Sequence, residues 1–307
     1  MFVLNPDHYL LPSFRISPFS TKDISINHDL PVSDKIDNYF SERFNSENFI
    51  YTINGRQALN KALSYYQLKN DDIVTILTTS GNFYISSCVT NEIEKFCKWN
   101  RKITGKTKVI LVNHEFGYPF KNLIDLKKHN LPIIEDCAHS FFSDDRDHSL
   151  GNIGDFVIYS FPKMFQVQIG GLLKININYK ISKNLLIDKN YSQYIKNVLS
   201  HYIAYKEDII EYRIKNYQTL AKKINELGYN ERFKLEEGIV PGVFLFKTDK
   251  PGMNINLAEL KEHFYNHGVQ CSVFYGEEAF FLPVHQGIKN TDIDYFLYIL
   301  NFFINGS

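Results

Sequence analysis

The chain has 307 residues, with 34 basic and 34 acidic side chains, so its formal net charge is zero. This length is sufficient for a large hydrophobic core and for two domains. The balanced charge, without any basic tract, gives no electrostatic reason to expect nucleic acid or an anionic membrane as a partner.

The N-terminal sequence MFVLNPDHYLLPSF has no basic segment followed by a long apolar stretch, so no signal peptide is predicted. No apolar run approaches the roughly 20 residues that a membrane helix needs. The four cysteines, at positions 88, 97, 137 and 271, form no CxxC pair. Free thiols are typical of a reducing compartment, so we expect a cytoplasmic protein with no membrane partner.

Residues 1–50 predict an irregular N-terminal arm with a short helix at SDKIDNYFSERF, and residues 51–200 predict a large α/β domain. Amphipathic helices are predicted at NGRQALNKALSYYQL, YISSCVTNEIEKFCKW and KNLIDLKKHN. Strands are predicted at DDIVTILTT, KVILVNH, LPIIED, GDFVIYSF and GGLLKIN. Apolar strands separated by helices indicate a three-layer sandwich around a mostly parallel central sheet.

Residues 201–307 predict a small C-terminal α+β domain. Its helices are predicted at EDIIEYRIKNYQTLAKKINELGY, at NLAELKEHFYNHG with Asn256 as the cap, and at TDIDYFLYILNFFI. Thr291 and Asp294 have the spacing of a capping box at the start of the last helix. The segments VPGVFLFKTD and VQCSVFY predict strands.

Three residues near predicted strand ends or helix starts have chemistry of interest, because ligands of parallel sheets bind at the carboxyl ends of strands. Gly55 precedes a helix whose N-terminus suits a phosphate, or it simply forms a turn. Asp136 closes a strand and could pair with a cationic ring nitrogen or cap the next helix. Lys163 could form a Schiff base or be a surface lysine. Together they would match the three groups of pyridoxal phosphate, which are a phosphate, a pyridine nitrogen and an aldehyde.

The segment IIEDCAHSFFS…LGNIGDFVIYSFPKMFQVQIGG resembles the DegT/StrS sugar-aminotransferase family, which are fold-type I pyridoxal-phosphate enzymes. In that family an EDAAQ or EDCAH segment precedes GxxGDxxxxSF, a Schiff-base lysine and a Gly-Gly pair. NGRQAL is similar to the family's phosphate-binding NGTxAL, and VILVNHEFGYP is similar to its xIIxVHxxGxP. The similarity covers residues 52–173, in a chain shorter than is usual for the family.

The resemblance implies roles for the matching residues and implies no metal. Lys163 would be the Schiff-base lysine and proton shuttle, and Asp136 would hold the ring nitrogen protonated. His139 would lie beside the ring, and Ser160 would bind the phosphate. The other implied cofactor contacts are Gly55, Arg56 and Gln57 at the phosphate and Phe83 or Tyr84 stacked on the ring.

Two residues have alternative interpretations of equal or greater weight. Arg56 could be only a surface ion pair. His114 is interpreted as a core histidine with satisfied hydrogen bonds.

The resemblance implies a homodimeric pyridoxal-phosphate-dependent aminotransferase. It would transfer an amino group from an amino acid such as glutamate to a keto-sugar of the nucleotide-linked class, in amino-sugar or surface-polysaccharide biosynthesis. Lys163 argues against the family's dehydratase branch, in which histidine replaces the lysine. One alternative is a catalytically degenerate member that acts as a binding or scaffold protein. Another α/β nucleotide-binding enzyme is disfavoured, because the sequence has no GxGxxG motif or P-loop.

Overall fold

The computed structural model describes residues 12–306 except 180, 181, 183, 184 and 250–254. It contains a larger compact unit, Phe19–Lys206, and a smaller one made of the described residues up to Pro18 and those from Glu207 onward. The sequence analysis had placed residues 19–50 in a separate arm. In the structure they belong to the larger unit, where for example the Ile36 N–H donates to Ser200 Oγ at 3.1 Å.

The larger unit has five helices among its described residues: α1 (Asp23–His28), α2 (Lys35–Phe44), α3 (Gly55–Tyr65), α4 (Ser87–Ile93) and α5 (Lys189–Tyr202). Its strands are β1 (Phe49–Thr52), β2 (Ile73–Thr78), β3 (Lys98–Asn100), β4 (Thr107–Asn113), β5 (Ile133–Asp136), β6 (Phe156–Ser160) and β7 (Gly171–Ile175). Short 3-10 segments cover Glu115–Gly117, Leu123–His129 and Phe161–Lys163.

These strands form one seven-stranded sheet in the order β1-β7-β6-β5-β4-β2-β3. Neighbouring strands are parallel from β6 to β3, whereas β7 is antiparallel to both β6 and β1. The sheet therefore confirms the predicted mostly parallel architecture. Asn113 and Asp136 are paired in register at the ends of β4 and β5, which brings the carboxyl ends of these strands together.

Alternating residues of β4 explain why both faces of the sheet are covered. Val109 and Leu111 are buried in a cluster with apolar residues of α3 and α4. Ile110 and Val112 face the opposite side of the sheet, where they pack with Leu123 of the 3-10 segment Leu123–His129. Each such side chain contributes about 1.5–3 kcal/mol on burial, so a strand that is apolar throughout is stabilised between two layers.

Local periodicity predicted some boundaries wrongly. The helix predicted over residues 84–99 ends at Ile93, because the amides of Phe96 and Cys97 turn back to the Ile93 carbonyl. Lys98 then begins β3, which pairs with β2. The predicted helix KNLIDLKKHN is 3-10 rather than α, and β1 and α5 were not predicted.

The smaller unit contains α7 (Leu257–Asn266), α8 (Asn290–Asn305) and nearly all of α6 (Lys206–Glu226), whose first residue is the last of the larger unit. Its strands are β8 (Asn230–Glu231), β9 (Phe244–Lys247), β10 (Ser272–Val273) and β11 (Ala279–Leu282), in the antiparallel order β10-β11-β9-β8. No helix in the described part of the chain is long and apolar enough to span a membrane.

Helix caps in the smaller unit test two of the sequence predictions. The Asn256 side chain accepts from the amides of Ala258 and Glu259, which confirms it as the cap of α7. The capping box predicted at Thr291 and Asp294 is wrong. Instead, Asp292 accepts from the Lys289 amide at 2.8 Å, and Asp294 pairs with Lys223 at 2.9 Å.

Candidate active site

A cavity of about 240 Å³ lies in the larger unit, where β4, β5 and β6 end and α3 begins. Its walls include residues from each of these elements and from the start of α4. Six of the residues predicted from the sequence line it: Gly55, Arg56, Asp136, His139, Ser160 and Lys163. Parallel strands therefore bring together residues that are more than 100 positions apart in the chain.

Asp136, the last residue of β5, presents a buried carboxylate to this cavity. One oxygen accepts from the Asn113 side-chain amide and the other from the Ala138 amide, both at 3.0 Å. Burial raises the pKa of Asp136 above its ordinary value, although these two donors and the nearby Lys163 lower it in part. A cation in the cavity would favour the ionised form of this carboxyl group.

Glu135, the preceding residue, is also buried but has more hydrogen-bond donors around its carboxylate than Asp136 has. Its carboxylate accepts from the amides of Gly151, Ile153 and Gly154 at 2.7, 2.9 and 2.6 Å, and it lies 3.1 Å from His114 Nε2. Burial alone would raise its pKa, but the His114 and backbone donors outweigh burial and lower it. Glu135 therefore fixes the loop at residues 151–154.

His114 has both ring nitrogens in hydrogen-bond contact. Its Nδ1 accepts from the Phe120 amide at 3.0 Å, so the ring proton lies on Nε2 and is donated to Glu135. This confirms the interpretation of His114 as a satisfied core histidine, although it also lines the cavity. With Cys137 these residues form a buried group of potential metal ligands, but Glu135 and His114 already use their polar atoms in the contacts described above.

Lys163 lies in the short 3-10 turn that follows β6. The Phe161 amide donates to the Gly170 carbonyl at 3.1 Å, and the Met164 amide donates to Phe161 at 2.9 Å, so the strand stops and turns at this point. The side chain of Lys163 is half-buried. Burial lowers its pKa, while Cys88 and Asp136 act in the opposite direction. A larger fraction of this amine is therefore neutral than for an exposed lysine.

The N-terminus of α3 forms another wall. The Asn54 side chain accepts from the Gln57 amide at 2.9 Å and so caps the helix. Gly55 and Arg56 carry the first two amides of α3, which have no carbonyl partner within a helix. A β-carbon at position 55 would lie 3.4 Å from Ser160 Cβ, at ordinary contact distance, so Gly55 and Ser160 are direct neighbours. Amides, a hydroxyl and a guanidinium thus converge on a site that suits an anion.

Three predicted site residues do not line the cavity. Gln57 instead accepts from the Ile53 amide at 2.8 Å through its side-chain oxygen. The side chain of Phe83 is 66% exposed, and Tyr84 stacks on Phe116 with ring centroids 6.2 Å apart. The structure therefore gives no geometric support to the roles implied for these residues.

Several lining residues were missed by the sequence analysis: Asn54, Leu59, Ser86, Cys88, Val89, Asn113, Ala138 and Ile158. Asn113 had a usable signal, since it ends a predicted strand. Ser86, Cys88 and Val89 had none, because the register of the α4 start depends on tertiary contacts.

The cavity residues fit pyridoxal phosphate by the chemistry of their side chains. Asp136 provides an anion for a ring nitrogen, and Lys163 provides an amine for an aldehyde. The start of α3, with Arg56 and Ser160, provides donors for a phosphate. All of them lie around one cavity.

Comparison with known sequences also supports a pyridoxal phosphate site. Residues 95–176 match the DegT/DnrJ/EryC1/StrS aminotransferase family, which confirms the family resemblance. GDP-perosamine synthase of Escherichia coli O157:H7 is 29% identical over 163 residues, covering 46% of this chain and 44% of that protein. The dTDP-3-amino-3,6-dideoxy-alpha-D-galactopyranose transaminase of Aneurinibacillus thermoaerophilus is 28% identical, covering 53% and 50% respectively. The chain thus spans about half the length of the curated relatives it matches.

Solved structures share the fold over nearly the whole chain. The aminotransferase TlmJ from Streptoalloteichus hindustanus has a TM-score of 0.72 at 14% identity and covers 93% of this chain and 94% of its own. The PLP-form of the putative sugar aminotransferase Spr1654 from Streptococcus pneumoniae has a TM-score of 0.71 at 14% identity and covers 100% and 99%. These similarities confirm the fold of pyridoxal-phosphate enzymes of fold type I.

Proposed function

We propose that this chain, which carries a DegT/DnrJ/EryC1/StrS aminotransferase domain over residues 95–176, is a pyridoxal-phosphate-dependent aminotransferase. The observation that carries this proposal is the presence of Lys163 and Asp136 on the walls of one cavity beside the N-terminus of α3. Burial works against the charged form of each residue, and buried charged groups are costly unless they have a partner.

Each residue has a role that follows from its position. Bound pyridoxal phosphate supplies an aldehyde that takes up amino groups and a ring that withdraws electrons. Asp136 would hold negative charge beside a protonated ring nitrogen. Lys163 would present its amine to the aldehyde and could accept or return a proton at Nζ. Ser160, Arg56 and the first amides of α3 would hold the phosphate and fix its orientation.

The proposed substrates are an amino acid donor such as glutamate and a keto-sugar of the nucleotide-linked class. The names of the relatives, a GDP-sugar synthase and a dTDP-sugar transaminase, support this class. We further propose a cytoplasmic homodimer that acts in amino-sugar or surface-polysaccharide biosynthesis. The zero net charge supports the expectation that neither nucleic acid nor a membrane is a partner.

The second candidate function is a degenerate member that binds the cofactor or a related ligand without turnover. The absence of Phe83 and Tyr84 from the cavity lining favours this alternative, because no other aromatic ring from that loop replaces them there. Amino-group transfer separates the two candidates. A loaded enzyme converts glutamate to 2-oxoglutarate in a half-reaction, whereas a binding protein does not.

Lys163 provides the direct test of the proposed function. We expect the purified wild type to develop a visible absorbance band with pyridoxal phosphate and to retain a borohydride-stable adduct that maps to Lys163. Lys163→Ala should lose both signals. Lys106→Ala is a matched control, because Lys106 is exposed and lies outside the cavity. Equal incorporation in wild type and Lys163→Ala would contradict the proposed role.

A further inference from the structure

We propose that the thiol of Cys88 forms the wall of the cavity that contacts the cofactor ring. Bound cofactor would then shield this thiol from solvent. This inference rests on the proposed function, because it requires a pyridine ring in the cavity.

The start of α4 fixes the position of Cys88. The Ser86 hydroxyl accepts from the Cys88 amide at 3.3 Å and begins the helix. Val89, the next residue, is buried in the apolar cluster under the sheet. Ser86, Cys88 and Val89 all line the cavity. Cys88 therefore reaches the cavity from a segment that is anchored on both sides.

The aromatic residues of the same segment are directed elsewhere. Phe83 is 66% exposed and does not line the cavity. Tyr84 stacks on Phe116, which in turn contacts the ring of His139 at a centroid distance of 5.6 Å and an interplanar angle of 67°. Cys88 is left as the polarizable side chain that this segment contributes to the wall.

Cys88 and Lys163 both line this cavity. Burial lowers the pKa of Lys163, and the nearby Cys88 and Asp136 oppose this shift. The reactive amine and the thiol thus face the same space, which is where an aldehyde-bearing ring must lie to reach Lys163. Sulfur makes favourable contacts with aromatic rings.

The other cysteines make this inference directly measurable. Cys88 is exposed, whereas Cys97, Cys137 and Cys271 are buried. Alkylation of the folded chain by N-ethylmaleimide, in which the sulfur adds across the maleimide double bond, should therefore report on Cys88. Cys88→Ala provides the background rate.

The experiment compares the alkylation rate of the full chain alone, with saturating pyridoxamine phosphate and with inorganic phosphate. Pyridoxamine phosphate has the ring but no aldehyde, so protection cannot arise from addition of the thiol to an aldehyde. At about ten times its Kd, pyridoxamine phosphate leaves about one site in ten free, so we expect it to slow alkylation about tenfold. Inorganic phosphate alone should leave the rate unchanged, because it occupies only the start of α3.

Each contrary result has a distinct meaning. Protection by inorganic phosphate would place Cys88 at the phosphate end and overturn the inference. A Lys163 adduct without protection of Cys88 would also overturn it, while leaving the proposed function intact. If neither the adduct nor protection is observed, the proposed function fails and the inference fails with it.

Affinity provides a second, independent readout. Cys88→Ser keeps the size of the side chain but removes the polarizable sulfur, and we expect it to weaken pyridoxamine phosphate binding roughly two- to tenfold. Phe83→Ala is the matched control and should leave the affinity within about twofold. Loss of affinity in Phe83→Ala with none in Cys88→Ser would restore the aromatic ring contact and overturn the inference.

Discussion

Glu135 and Asp136 are adjacent carboxylates of one strand, yet their pKa values move in opposite directions. Glu135 accepts from three backbone amides and from His114, and its pKa is lowered. Asp136 accepts from two donors, and burial raises its pKa. A carboxylate has about four acceptor positions. Those of Glu135 are used to hold a loop, whereas Asp136 retains acceptor capacity toward the cavity.

Asp136→Asn should therefore weaken cofactor binding about 10- to 100-fold, which corresponds to the loss of one charge-assisted hydrogen bond. In the wild type, affinity should fall as the pH drops through the raised pKa of Asp136, because the protonated carboxyl no longer attracts a ring cation. This fall in affinity at low pH, the acid limb of the profile, should disappear in Asp136→Asn. Titrations of pyridoxamine phosphate across pH measure both effects.

Asn113→Ala serves as the control for this prediction. It removes one hydrogen bond to Asp136 but keeps the negative charge, so the acid limb should persist and move to higher pH. An unchanged pH profile in Asp136→Asn would contradict the role of this carboxylate.

The start of α3 combines a structural role with a binding role. Asn54 caps the helix through the Gln57 amide and also lines the cavity. Asn54→Ala should lower the free energy of unfolding of the larger unit by about 0.5–2 kcal/mol, since an amide loses its acceptor. The fluorescence of the single tryptophan, Trp99 in β3, reports this unfolding in urea.

Two matched variants separate the cap from the anion site. Asn54→Ser keeps the acceptor, so stability and phosphate affinity should both be close to wild type. Asn54→Asp also keeps the acceptor but places a negative charge at the anion site, so stability should be retained while pyridoxamine phosphate affinity falls. Equal affinity of the Ser and Asp variants would show that the phosphate does not bind at this helix start.

The sequence predicted those elements whose residue pattern depends on their own burial, and it failed where pairing with a distant segment decides the structure. The strands β4, β5 and β6 were predictable, because burial on both faces requires apolar residues throughout. Asp136 and Ser160 end β5 and β6, so predicting these strands also located two candidate site residues. The end of α4 was not predictable, since the apolar spacing continues past Ile93 and only pairing with β2 draws Lys98 into a strand.

The cavity wall near α4 likewise depends on distant contacts that the sequence pattern does not reveal. Contacts from distant segments set the preceding loop: Thr79 Oγ1 donates to the Tyr118 carbonyl at 2.6 Å, and the Ser80 amide donates to Glu115 at 2.6 Å. Tyr84 then packs on Phe116. The family resemblance implied a ring-stacking role for an aromatic residue of this loop, but residues at the start of α4 line the cavity instead.

At the scale of the whole molecule, each unit contains a buried titratable group whose folded form resists protonation. In the smaller unit, His285 donates from Nε2 to the Arg15 carbonyl at 2.9 Å and accepts at Nδ1 from the Gly287 amide at 3.0 Å. Burial, with the nearby Arg213, lowers its pKa to about 3. In the larger unit, Glu135 has a lowered pKa.

These groups predict an order of acid destabilisation. The unfolded chain protonates His285 near its ordinary pKa of 6.5, so the smaller unit should lose stability as the pH falls from about 6.5 toward 3, by up to about 1.4 kcal/mol per pH unit. Glu135 contributes stability that is lost only as the pH falls below its ordinary value of 4.5. Between these values the smaller unit should therefore weaken first.

Hydrogen exchange measured by mass spectrometry at pH 7 and pH 5.5, corrected for the intrinsic exchange rate, resolves the two units in the full chain. Protection of β11 and α8 should fall at pH 5.5 more than protection of β4 and β5. His285→Gln cannot take up a proton, so it should lower protection of β11 and α8 at pH 7 but remove most of its pH dependence. A pH dependence of equal size in wild type and His285→Gln would mean that other groups set the acid stability of the smaller unit.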